Sequence, residues 1–374
     1  MKRLECLDGL RGVLAVYVML GHMAPFAALP NWIAGLFSHG GAAVDVFFML
    51  SGLVILRSLE SCQFEARPFL ILRVTRIFPV FLPMFALGAA ALSLPPIFKA
   101  MPWIAPGSVA YDIWPRGWPT NWVVEIAAHL TMTHGLFPNG LLPDVWLSFL
   151  SAAWSLSTEW QFYVLALLLG RSRMGAEWLA VSFLVLAVAG LAWDMTAPES
   201  WQFSRAFLPN KAEYFALGIA SGGWVDRRSR RWFAIVLGAT LILCAANGDA
   251  GKLLPPLIWT LCLAAQLHAG GILNPLRWGT VQWLGALSYP LYLANEPIQK
   301  VLCFLLTRLA AGNERVFTSM WIPAAVLVPI GVAALLHRYV EQPALRWGRD
   351  LARGGIGFGH GRQFQVRAAS PDDR

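Results

Sequence analysis

Apolar residues run along most of this chain in long, nearly unbroken stretches, and polar residues gather in the short gaps between them. A helix that crosses a bilayer needs about 20 mostly apolar residues. Ten stretches qualify, near residues 8–29, 41–59, 76–98, 151–170, 176–194, 208–225, 232–247, 253–270, 282–306 and 318–340. The pattern predicts an all-α integral membrane protein with about ten transmembrane helices. Its basic residues predict the orientation. With the N-terminus in the cytoplasm, the inner segments collect Lys2 and Arg3; Arg57, Arg67, Arg73 and Arg76; Arg171 and Arg173; Arg227, Arg228, Arg230 and Arg231; Arg277; and the arginines from Arg338 onward. These make up most of the 29 lysines and arginines, the asymmetry that cytoplasmic loops carry. Both termini are expected in the cytoplasm, and the plasma (inner) membrane is the expected location.

The stretch 121–137 carries Glu125, His129 and His134. A full crossing there would reverse every later loop and put Arg227–Arg231 outside, so it is expected to be a re-entrant or interfacial piece on the outer side. It lies in a long outer loop, about 99–150, rich in Pro and Trp. The basic start MKRLECLDGLRG leads into an apolar run as a signal peptide does. Arg11 and His22 interrupt that run and no A-x-A-like site follows, so it is read as an uncleaved first helix. Two regions are expected: a transmembrane domain over 1–347, and a polar, Arg- and Gly-rich cytoplasmic tail over 348–374, disordered. The tail's glycines follow no strand and open no helix, which argues against nucleotide binding.

Composition supports the membrane assignment. Of the 374 residues 57% are hydrophobic and 13% charged, and the mean hydropathy is +0.55. A soluble domain carries about 25% charged residues, and half that number cannot coat its surface. The 18 Trp and 22 Phe exclude disorder. The net charge of +8 is spread over the inner loops, so it points to membrane lipids and not to nucleic acid. The five cysteines form no C-x-x-C pair and read as small buried hydrophobes. No G-x-S-x-G, no H-E-x-x-H and no metal-ligand spacing occurs.

The informative residues are ionisable groups inside apolar helices, which cost about 2.5–3.5 kcal/mol each on insertion scales. Arg11 and His22 are eleven residues apart. At 100° per residue they share one helix face, about 16 Å apart along the axis. Asp45 lies near the outer end of the second segment and Glu159 about two turns into the fourth. By depth alone, His22, Asp45 and Glu159 can meet in one layer. A His beside a carboxylate suits general base work; a polar network that merely holds helices together is the other reading, and for Asp45 and Glu159 both stay open. Arg73 and Arg76 at i, i+3 share a face, and the planar, permanently charged guanidinium suits phosphate.

LDGLRGVLAVYVMLGH (7–22), AAVDVFFMLSGLVI (42–55), RVTRIFP (73–79), WSLSTEWQFYVL (154–165), FALGIASG (215–222), LGALSYPLYLANEPI (284–298) and HRYVEQP (337–343) resemble, in order, the motifs of the acyltransferase 3 family of integral membrane acyltransferases. The resemblance implies an acyl-CoA-dependent O-acyltransferase. Members move an acyl group, commonly acetyl, from cytoplasmic acyl-CoA to a hydroxyl of a sugar, in lipopolysaccharide, exopolysaccharide or another exported or lipid-linked saccharide. The family's Arg and His fall on Arg11 and His22, and its donor-associated R-x-x-R on Arg73 and Arg76. Acyl-CoA is thus expected as donor substrate, with no permanently bound cofactor and no metal. His22 is expected to deprotonate the acceptor hydroxyl, with Asp45 or Glu159 orienting the imidazole; a covalent acyl-His intermediate is the alternative. The family often has a His where Asn295 stands, and Asn295 is assigned no acid–base role. The loop 99–150 is the expected seat of acceptor specificity. A transporter or flippase of lipid-linked sugar is the competing function.

Overall fold

The computed structural model describes residues 4–114, 117–170, 175–226, 229–268 and 271–355. Lys2, Arg3, Arg171, Arg173, Arg227, Arg228 and the tail from 356 onward lie outside them. The described residues form helices and turns with no strand: α1 (Glu5–Met23), α2 (Asn31–Leu36), α3 (Gly40–Ser61), α4 (Ala66–Ala91), α5 (Val109–Ile113), α6 (Trp122–Leu130), α7 (Trp154–Gly170), α8 (Ala176–Thr196), α9 (Ala212–Val225), α10 (Arg230–Ala246), α11 (Leu254–His268), α12 (Gly279–Ala310), α13 (Glu314–Leu336) and α14 (Gln342–Gly355).

Each of the ten apolar stretches coincides with one of these helices. Six helical runs, containing α1, α3, α4, α8, α11 and α13, are long and apolar enough to cross a membrane. Of the rest, α7, α9 and α10 are shorter, and α12, with 32 residues, carries Glu296, Lys300 and Arg308. Boundaries moved where prolines and ion pairs intervene. The third stretch was expected from residue 76, yet α4 starts at Ala66 and takes both arginines into its first turns. It stops at Ala91, before Pro95 and Pro96. The piece at 121–137 contains α6, whose nine residues reach about 13 Å, too short to span. The sequence places residues 348–355 in the disordered tail. They continue α14 against α4, where Gly348 abuts Thr75 and Ala352 is buried. The run of arginines masked that single apolar side.

Two close helix contacts set the frame. α1 lies along α12 at backbone distance: a Cβ on Gly285 would come within 2.2 Å of the Asp8 carbonyl oxygen, and one on Gly12 within 2.6 Å of the Gly285 nitrogen. α3 meets α9 the same way through Gly52 and Gly218. Small residues at helix crossings let backbones touch, which is where membrane helices gain their packing energy. The central core is aromatic, with Phe162 and Phe215 rings stacked at 4.0 Å. A second cluster, including Phe26, Trp114, Phe317 and Trp321, ties the 99–150 loop to the end of α1. There the Trp321 indole N–H donates to the Met23 carbonyl at 3.0 Å, fixing the helix end one residue beyond His22.

Candidate active site

Three cavities penetrate the helices, and the residues singled out from sequence divide among them. The first, about 530 Å³, is lined by Asp8, Arg11, Arg57, Arg73, Arg76, Ser51, Glu159, Tyr163 and Tyr289. The second, about 1320 Å³, is lined by His22, Glu296, Lys300, Ser151, Arg205 and a wall of tryptophans: Trp103, Trp114, Trp118, Trp146 and Trp154. The third, about 660 Å³, holds Asp45, Lys211, Glu213, Asp194 and Lys252. Val44 and Tyr292 line both the first and the second, so these two meet at a waist between α3 and α12.

The first cavity gathers the arginines. α4 carries Arg73 and Arg76 on one face. Arg73 donates to Ser58 and lies over the rings of Phe69 (5.2 Å) and Tyr163 (4.8 Å). Its Nε is buried without a hydrogen-bond partner among the described residues. Arg76 pairs with Glu341, whose other oxygen meets His337 Nδ1 at 2.6 Å. Glu341 lies on a π-helical turn, His337–Glu341, between α13 and α14, and that extra residue per turn aims its carboxylate back at α4. Arg11 forms no ion pair among the described residues, and the charges that act on it are Arg76, Asp8, Glu341 and Glu159. Such a cluster, with an unused buried N–H, suits an anionic, phosphate-bearing molecule.

In the second cavity His22 Nδ1 lies 2.6 Å from Asn295 Oδ1. The Asn295 Nδ2 group donates to the carbonyls of Leu291 (2.9 Å) and Tyr292 (2.7 Å). Both amide hydrogens are thereby used on the helix's own backbone, so the oxygen faces His22. An amide oxygen only accepts. The bond therefore selects the Nδ1–H tautomer and leaves Nε2 with a free lone pair. The next residue, Glu296, is buried, accepts from Ser151 and pairs with Lys300 one turn on. Its charge acts on His22 through space.

The expected layer of His22, Asp45 and Glu159 does not form. Asp45 pairs with Lys211 at 2.7 Å across the α3–α9 contact. Glu159 accepts from Ser51 and Tyr163 and faces the arginines. Neither hydrogen-bonds His22, so the imidazole is oriented by Asn295, the residue given no acid–base role. Depth along a helix follows from residue count, whereas direction around it is set by packing. Glu296 is a functional candidate that the sequence reading omits although a signal is present: Glu296 and Lys300, at i, i+4, are two charges inside an apolar helix. His129, on α6, and His134, just after it, stack at 4.1 Å, with burial driving the His129 imidazole down to about 4. No group of three or more metal-ligating side chains occurs among the described residues.

The loop 99–150 supplies much of the second cavity's wall, including four of its tryptophans. An aromatic wall with a few convergent polar groups is the usual make-up of a small-molecule site.

Comparison of the sequence with known proteins matches it to one family. A family profile described as an acyltransferase domain matches residues 4–338. The chain is 26% identical over 396 residues to "Acyltransferase MdmB" of Streptomyces mycarofaciens, covering 92% of each protein. It is also 26% identical over 378 residues to "Putative peptidoglycan O-acetyltransferase YrhL" of Bacillus subtilis, covering 90% of this chain and 54% of that protein. No solved structure gives a significant match. The chain, with its apolar helices and a family match spanning nearly all of them, belongs to the acyltransferase 3 family of membrane acyltransferases.

Proposed function

We propose that this protein is an acyl-CoA-dependent O-acyltransferase of the inner membrane that moves an acyl group, most simply acetyl, to a hydroxyl of an exported or lipid-linked saccharide. Ten helices span the membrane in this reading, with both termini in the cytoplasm. The observation that carries it is the waist at Val44 and Tyr292, where the arginine cavity meets the cavity containing His22. A donor with phosphates at one end and a thioester at the other fits that sequence of environments.

Arg73, Arg76 and Arg11 hold the donor's phosphates, and the pantetheine arm runs along the α1 face toward His22, about 16 Å deeper. The acceptor sugar occupies the tryptophan-walled cavity. His22 Nε2 takes the proton from its hydroxyl as the oxygen attacks the thioester carbonyl. The carbon–sulfur bond breaks, the proton passes from His22 to the departing thiolate, and an ester and a free thiol result. Asn295 keeps the Nδ1–H tautomer throughout, and Glu296 offsets the charge of the transient imidazolium. Asp45 and Glu159 act as positioning residues: Glu159 offsets the arginine charges, and Asp45 fixes α3 against α9.

The test is mass spectrometry of surface glycans from cells carrying the wild-type gene, no gene, or His22→Ala at matched membrane expression. An acyl mass increment present only in wild type is expected. Retention of the increment in His22→Ala overturns the assignment of His22. A deletion that alters glycan quantity and leaves acylation unchanged overturns the enzyme reading in favour of a transporter. Incubation of the purified protein with acyl-CoA alone, followed by peptide mass spectrometry, reports an acyl-His22 adduct if transfer runs in two steps.

A further inference from the structure

Arg205 is not part of the family-like motifs and has no role in the chemistry above. It lies in the turn between α8 and α9 and lines both the second and the third cavity, which also share Ser38 and Gly41. Its guanidinium sits over the ring of Trp146 at 4.8 Å and near that of Trp154 at 5.7 Å. The neighbouring cations are satisfied: Lys211 is paired with Asp45 and Lys300 with Glu296. Arg205 forms no ion pair among the described residues, although Asp45, Asp194 and Glu213 line the third cavity beside it. Arg205 is exposed.

Stacking on aromatic faces immobilises the guanidinium plane and leaves its N–H edge unused. An edge of that kind binds a carboxylate or phosphate with two parallel hydrogen bonds. The two chambers together exceed the roughly 300–1,000 Å³ of a usual small-molecule site, so the acceptor has room for more than one sugar unit. We infer that Arg205 is an anion subsite at the junction of the two chambers and selects acceptor saccharides that carry a carboxylate or phosphate group. Tryptophans 146 and 154 hold its plane, and the sugar unit bearing the anion reaches it from the chamber that contains His22. This selectivity rests on the proposed O-acyltransferase reading.

The test uses the full-length protein in detergent micelles with three probes: cellobiose, cellobiouronic acid and cellobiose 6-phosphate. Binding is read from tryptophan fluorescence, which needs no turnover and so stands apart from the failure of the catalytic reading. Trp146 and Trp154, two of the chain's 18 tryptophans, lie against the subsite and contribute to the signal. Wild type is expected to bind one or both anionic probes about 10- to 100-fold more tightly than cellobiose, the worth of a charge-assisted hydrogen bond. Arg205→Gln is expected to remove that preference and leave cellobiose binding and acyl-CoA binding unchanged. Arg205→Lys keeps the charge without the fork, so it is expected to retain part of it. Which anionic probe binds separates a carboxylate from a phosphate acceptor. Equal binding of all three probes by wild type, or an undiminished preference in Arg205→Gln, overturns the subsite. If acyl transfer fails in wild type while the preference holds, the catalytic reading falls and the subsite stands.

Discussion

The Asn295 side-chain oxygen, 2.6 Å from His22 Nδ1, is held in place by two hydrogen bonds from its own amide nitrogen to the α12 backbone. One residue of α12 thus decides which nitrogen of an α1 imidazole is basic. Asn295→Leu, of similar size but without an acceptor, leaves the tautomer unconstrained. The rate constant for acyl transfer is expected to fall about 10²-fold, within the range of general-base contributions, with acyl-CoA binding retained. Titration of donor binding alongside turnover checks this: equal loss of both would show that Asn295 holds the helices and not the tautomer.

The Glu296–Lys300 pair presents a different cost. Both side chains are nearly inaccessible, at 2% and 8% exposure. Removing one partner of a buried pair leaves an uncompensated charge, worth about 3–5 kcal/mol. Glu296→Gln is therefore expected to lower the melting temperature in detergent clearly. The double variant Glu296→Gln, Lys300→Met removes both charges and is expected to recover most of that loss. Thermal melting of wild type, Glu296→Gln, Lys300→Met and the double variant reads the cycle, and additive losses would show that the two residues do not interact.

Much of the architecture was legible. Each of the ten apolar runs located a helix, and six of those helical runs are long and apolar enough to cross a membrane, because a helix in lipid must be apolar around most of its circumference. The i, i+3 spacing of Arg73 and Arg76 put them on one face, and they do line one cavity with Arg11. Rotation about each axis was not legible. Asp45 and Glu159 had matching depths, yet the Gly52–Gly218 crossing turns Asp45 toward α9 and Lys211, while Glu159 faces Ser51. Arg205 gave no sign either, since a single arginine in a turn looks like solvent-facing charge until Trp146, distant in sequence, packs over it.

The α1–α12 crossing makes a prediction about packing. Gly285 has no room for a methyl group, because a Cβ would lie 2.2 Å from a backbone oxygen. No flexible side chain is available to move aside, so α1 itself must shift. Gly285→Ala is expected to cost about 1–3 kcal/mol, the usual range for overpacking. It is also expected to lower acyl transfer, since α1 carries Arg11 and His22. Gly238→Ala, where nothing lies within 4 Å, serves as the control and is expected to leave both melting and activity unchanged.

The stacked pair of His129 and His134 links stability to pH. His129 Nδ1–H donates to the Glu125 carbonyl at 2.8 Å, and its ring stacks on His134 and on Phe85. Burial lowers the His129 imidazole from 6.5 to about 4. Burial also lowers His134, and the neighbouring His129 adds to the effect. In the unfolded chain both titrate near their ordinary value. As pH falls below about 6.5 the unfolded state therefore takes up protons that the folded state refuses. Stability contributed by the pair is complete above that pH and declines steadily toward pH 4, below which His129 protonates in the folded protein too. His129→Phe keeps the ring stack and removes one titrating group. Its melting temperature is expected to depend less steeply on pH between 6.5 and 4 than that of wild type. Parallel slopes for the two proteins across that window would show that His129 is not the group responsible.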